Sequence, residues 1–204
     1  MRAAFVPVLS IALLGARAAL AQALAPPVGC EVTADSRTGG AIDIVPASRV
    51  KGANGPQIVW QPVGSGPTVI LWVTYAADEH LRMDNPNGVM IRFRKGQHDA
   101  DTLAVTVKAR NGQAWRFDGK AIVADNAEAA HVAFGMDWPY GRGMLDAVAS
   151  GQAVTISVEQ DGSTLHSETF GLANIEARDN LLAEARSKFI AAAQGPCPAV
   201  RPQG

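Results

Sequence analysis

Short runs of β-branched and aromatic residues recur along the chain from residue 41 onward, separated by Gly, Pro, Asn and Asp. Ala41–Val45 is the first apolar stretch. Gln57–Val63 (QIVWQPV) and Thr68–Tyr75 (TVILWVTY) follow, divided by Gly64-Ser65-Gly66-Pro67. The second of these is apolar on both faces, the pattern of a central strand. Met90–Arg94 and Leu103–Lys108 alternate apolar and polar positions, and His131–Met136 adds another strand-like run. Asp118-Gly119 lies between residues 113–117 and 120–124, and Asp161-Gly162 between 153–159 and 163–170. Each Asp-Gly predicts a type I′ hairpin, because both central positions of that turn need positive φ.

Two segments carry a helical period instead. Met144–Ser150 is short, with Gly151 placed as its stop. The second runs from about Leu172 to Ala193. Leu172, Ile175, Leu182, Ala185, Phe189 and Ala192 share one face, and Glu176, Asn180, Glu184 and Lys188 take the other. Glu184 and Lys188 form an i,i+4 pair in the favourable order, and Gly195-Pro196 ends the helix. About nine strands with one short and one terminal helix predict a mainly β fold. The expected architecture is a single β-sandwich or open barrel, with the C-terminal amphipathic helix packed over a sheet face or edge. Trp60, Trp72 and Trp115 fall inside strands and read as core.

The N-terminus changes the picture of where this body resides. Arg2 precedes an apolar run from Ala3 to Gly15, and Ala19-Leu20-Ala21 offers small residues for a signal peptidase. The apolar run is shorter than the roughly 20 residues needed to span a bilayer, so a cleaved export signal is expected rather than a transmembrane anchor. Val28-Gly29-Cys30 also has a superficial lipobox look, but Pro26 and Pro27 precede it and the hydrophobic run lies well upstream. The expected organisation is a signal peptide over residues 1–21, a flexible lead-in over 22–29, one β-rich domain over 30–199 and a disordered tail over 200–204. Cleavage after Ala21 leaves 183 residues with 16 basic and 19 acidic side chains, a net charge of −3. Such a balance does not track a phosphate backbone, and nucleic acid is not an expected partner. The expected location is periplasmic or secreted.

The chain has two cysteines, Cys30 and Cys197. In an exported protein they are expected to pair. The bond would close a loop worth about 5 kcal/mol on chain entropy. There is no C-x-x-C, and neither thiol has a neighbouring His or Lys that would mark it as reactive.

Candidate chemistry is sparse. Ser48-Arg49-Val50-Lys51 matches S-x-x-K, but Gly52 and Gly55 follow at once and no Lys-Thr-Gly accompanies it, so a connector is the better reading. Asp78, Glu79, His80 and Asp84 form one polar cluster, and His98, Asp99 and Asp101 another. Carboxylates with imidazole can hold a divalent cation, and His80, His98, Asp99 and Asp101 are the candidate ligands. The same residues also suit solvated turns, and Asp84-Asn85-Pro86-Asn87-Gly88 is turn chemistry. Asp125, Glu128 and His131 form a further trio. No cofactor motif is present.

Trp138-Pro139-Tyr140-Gly141-Arg142-Gly143 places two large aromatics and an arginine in a Gly-flanked loop. Trp138, Tyr140 and Arg142 are therefore the candidate ligand-binding residues, since aromatics with a polar tip stack on sugars or peptides. The alternative is that Trp138 plugs the end of the sandwich.

Residues Gly143–Gly151 (GMLDAVASG), Ala153–Val158 (AVTISV), Asp161-Gly162 and Thr169–Leu172 (TFGL) follow in order. This succession resembles the ending of exported bacterial proteins similar to the invasion-associated locus B family, over about 40 residues. The resemblance implies a periplasmic β-sandwich without known catalysis and supplies no catalytic residues. The expected function is a non-catalytic exported binding protein for a protein, envelope component or glycan. The alternative is a small exported hydrolase or metal-dependent enzyme using His80 or His98 with nearby carboxylates.

Overall fold

A computed structural model describes residues 30–46, 55–77, 80–84, 86–135, 141–172 and 175–193. The strands are β1 (Val32–Ser36), β2 (Gly40–Val45), β3 (Gln57–Gln61), β4 (Val69–Ala76), β5 (Pro86–Arg94), β6 (Leu103–Ala109), β7 (Ala114–Asp118), β8 (Val123–Ala124), β9 (Ala129–Gly135), β10 (Val154–Gln160) and β11 (Ser163–Phe170). The helices are α1 (Gly141–Ala149) and α2 (Ile175–Ala193). The protein is mainly β, as expected. A seven-stranded sheet has the order β1-β2-β3-β4-β5-β9-β8, and a four-stranded sheet the order β11-β10-β6-β7. All the pairings are antiparallel.

Register builds the core. Ile42 lies opposite Trp60, Ile58 opposite Tyr75, Leu71 opposite Ile91, and Ile91 opposite Val132. One face of the large sheet is thus a continuous apolar surface, since residues two apart on a strand share a face. The small sheet turns Val105, Val107, Ile156 and Val158 inward, and all of these side chains are buried in one cluster. The centre of the large sheet is β4, as its apolar run predicts.

Helix α2 packs against β1 and β2 and buries Leu181, Leu182, Ala185, Phe189 and Ala192. Its polar side is tied down as well: Lys188 Nζ pairs with Glu184 Oε1 at 2.7 Å and donates to Thr33 O at 3.0 Å. The helix begins at Ile175, later than the apolar period suggests, and Ile175 is exposed. One turn before Leu182 the inner position belongs to Arg178, whose guanidinium lies 5.6 Å from the Trp60 ring centroid. A cation over an aromatic face there takes the place of an apolar contact. Helix α1 packs against β5 and β9. It ends in a Schellman arrangement, with Gly151 at φ +71°, Gly151 N–H donating to Val148 O and Gln152 N–H to Ala147 O.

Three strand-level expectations change. Val32–Ser36 is a strand that its polar composition hides; it pairs with β2 through a tight turn at residues 37–39. The run from Gln57 stops at Gln61, because Pro62 has no N–H to continue the ladder. Asp118-Gly119 is not a hairpin: β7 pairs with β6, while β8 pairs with β9 in the other sheet. A 3-10 turn at Gly119–Ala121 carries the chain between the two sheets, with Asp118 Oδ1 accepting from Lys120 N. By contrast, Asp161 and Gly162 have φ of +49° and +80°, and they join β10 to β11 as a hairpin.

The sheets are clamped together by Glu168 on β11. The residue is 3% exposed, and its carboxylate accepts from Gly66 N, Thr68 N, Thr68 Oγ1 and Val69 N at 2.6–3.2 Å. A Gly64–Phe170 bridge lies beside it.

Candidate functional site

The sequence candidates are spread over the molecule. Trp138 and Tyr140 lie outside the described residues, as do Met136, Ser48, Lys51, Asp78, Glu79 and Cys197. Arg142 is exposed on the first turn of α1. His80 and Asp84 follow β4 and are exposed, with Arg82 Nε 3.5 Å from Asp84 Oδ2. His98, Asp99 and Asp101 follow the far end of β5. Asp99 O there accepts from the backbone and hydroxyl of Thr102. The nine residues of β5 separate the two histidine clusters by about 25 Å at the usual strand rise. They cannot act on one atom. Among the described residues no three His, Cys, Asp or Glu side chains converge as a metal-binding set.

Asp125 and His131 do meet, through a contact between Asp125 Oδ1 and His131 Nδ1. The third member is Arg92, not Glu128: Arg92 Nε donates to Asp125 Oδ2 at 2.7 Å. The Arg92 hydrogen bond is the main reason the Asp125 carboxyl titrates below its ordinary value, with His131 adding to it and partial burial opposing. A carboxyl depressed in the folded state adds stability that is present above the unfolded pKa near 4 and is lost as pH falls through the folded value. Asp125→Asn should therefore flatten the fall of the urea midpoint between about pH 5 and pH 3 relative to wild type. An unchanged slope would show that the Arg92 contact is not maintained in solution.

Two other polar sites are structural in character. Arg186 Nε and Nη2 both donate to Leu81 O, at 2.9 and 2.7 Å, and hold a residue whose φ is +54°. Tyr75 is buried, and desolvation pushes its hydroxyl up to about 12, opposed by the nearby Arg178.

A broad, open concavity lies on the outward face of the large sheet. Cross-strand neighbours there form rows. Trp72 is opposite Met90, which is opposite Ala133; Val59 is opposite Thr74, then come Gly88 and Gly135. These rows line a cleft of about 510 Å³. The paired glycines leave a floor without side chains. A Cβ on Gly88 would stand 2.7 Å from Thr74 Oγ1, so a side chain there would have to push the Thr74 hydroxyl aside. Val59, Trp72 and Met90 remain half-buried and Ala133 is exposed. Trp72 is therefore not core. On β4 the side chains of Leu71 and Val73 point inward, and strand alternation sends Trp72 outward.

Along β5 the same face turns polar. Arg92 and Arg94 follow Met90 at two-residue steps. With Pro67, Thr68, Asn126 and Glu128 they border a second recess of about 220 Å³. The outward face thus runs from an apolar hollow to a guanidinium-bearing end. The fold and this face define a two-sheet β-sandwich with an open apolar cleft. Comparison with family models, with curated proteins and with solved structures finds no match.

Proposed function

We propose that this chain is an exported, non-catalytic β-sandwich protein of the periplasm that binds a protein, envelope component or glycan through the outward face of its large sheet. The carrying observation is the cleft around Trp72, where half-exposed apolar side chains occupy the side of an antiparallel sheet that solvent normally claims for polar residues. An aromatic anchor in a shaped apolar hollow is the usual centre of a binding surface. The export signal at residues 1–21 and the resemblance over residues 143–172 support the location. A Cys30–Cys197 disulfide belongs to the same proposal. Cys30 is buried just ahead of β1, and none of the described residues is a free cysteine.

Immobilised mature protein should retain its partner from envelope extract, and Trp72→Ala should cut retention about tenfold or more. His80→Ala and His98→Ala should leave retention unchanged. Retention that survives Trp72→Ala removes the outward face from the reading. Turnover of an envelope substrate that depends on His98 favours a hydrolase instead.

A further inference from the structure

We infer that the outward cleft takes a small amphipathic anion, with an apolar body seated on Trp72 and Met90 and a single acid group reaching Arg94. This rests on the reading of that face as the contact surface and names the chemistry of what it contacts.

The inference comes from the order of side chains along one face. Met90, Arg92 and Arg94 share the outward side of β5, each about 7 Å from the next. The apolar cleft ends where Arg92 begins. Arg92 is engaged by Asp125. Arg94 is exposed, its backbone is fixed by Arg94 N–H to Thr68 O and by His166 on its carbonyl, and its guanidinium forms no ion pair among the described residues. A fixed strand therefore presents one uncommitted guanidinium roughly 13 Å from Met90 at the near edge of the cleft, measured along the strand. Guanidinium favours carboxylate and phosphate through paired N–H donors. Glu128 borders the same recess. It opposes an anion there, so its removal should help binding. The cleft volume of about 510 Å³ lies in the range of small-molecule sites. An apolar ligand without a head group would leave Arg94 unused, and a purely polar one would leave Trp72 and Met90 wet.

Octanoate below its micellar concentration, 1-octanol and acetate are the probes, titrated into ¹⁵N-labelled mature protein and followed by amide and indole chemical shifts. Octanoate should move the Trp72 indole and the Gly88 and Gly135 amides to saturation, and acetate should not. Arg94→Gln should weaken octanoate about tenfold and leave octanol unchanged. Glu128→Gln should tighten octanoate. Trp72→Ala and, as a gentler second variant, Met90→Gln should weaken both eight-carbon probes. Equal affinity for octanoate and octanol, or indifference to Arg94→Gln, overturns the inference. So does movement of the same amides with protein concentration alone, which would make a second copy of the chain the occupant. If neither probe binds while Trp72→Ala still abolishes partner retention, the ligand chemistry is wrong and the contact surface stands. If retention also survives Trp72→Ala, both fall.

Discussion

Glu168→Ala should lower stability by about 3–4 kcal/mol, read as a shift in the urea midpoint at constant slope. The side chain is the most deeply buried charged group among the described residues, and four donors converge on it. Three are backbone N–H groups of the segment leading into β4, which cannot turn to other partners without unmaking the approach to the strand. Removing the carboxylate leaves them facing a hole, and each unsatisfied buried donor costs about 1–3 kcal/mol before relaxation. Glu168→Gln keeps the volume but turns an amide nitrogen toward N–H donors, so about half the loss should remain. The geometry explains why the penalty is global. Glu168 belongs to the small sheet, and its donors are Val69 at the start of β4 in the large sheet and the segment that leads into it, so the side chain ties the two layers together. Space is short on this side too: a Cβ on Gly64 would stand 2.8 Å from Glu168 Oε2. A loss under 1 kcal/mol for Glu168→Ala would mean that water replaces the carboxylate freely and that the clamp is incidental.

Glu168 also shows what the sequence hides. It sits in Ser163–Phe170 as one polar residue on an alternating strand, and nothing local distinguishes it from a solvent-facing glutamate. Its role arises from contact with residues about 100 positions earlier. Strand existence was legible wherever β-branched residues cluster, as in β4, β6 and β10, because that signal is local. β1 was not, because Thr33, Asp35 and Ser36 dilute its two inward residues, and its pairing with β2 and cover by α2 supply the missing stabilisation. Trp72 is hidden for a related reason. A tryptophan in an apolar run looks like core, but alternation alone fixes which side it faces, and which side is covered depends on elements far away in sequence. The same alternation places Met90 and Arg94 on one face in the sequence itself. What turns that row into a candidate site is the neighbouring pair Gly88–Gly135, a contact between β5 and β9 that no short-range pattern foretells.

The two Asp-Gly dipeptides make the same point at single-residue scale, and they should respond differently to one substitution. Gly119→Ala should cost about 3 kcal/mol or more, and Gly162→Ala about 1 kcal/mol. Gly162 has φ +80° and nothing within 4 Å of an added Cβ, so alanine there meets backbone strain only. Gly119 is not in that φ range, and its requirement is space. A Cβ would stand 2.2 Å from Asp101 O and 2.6 Å from Asp101 Cα. Asp101 belongs to the 3-10 turn Ala100–Thr102, which packs against the 3-10 turn Gly119–Ala121 at the crossover between sheets. Main chain meets main chain, so no flexible side chain can move aside. The clash would push apart the entry to β6 and the exit from β7, adjacent strands of the small sheet. Urea or thermal unfolding of both variants decides the matter. Equal losses, or a larger loss at Gly162, would show that residue 119 turns a hairpin after all and that the chain does not cross between the sheets there.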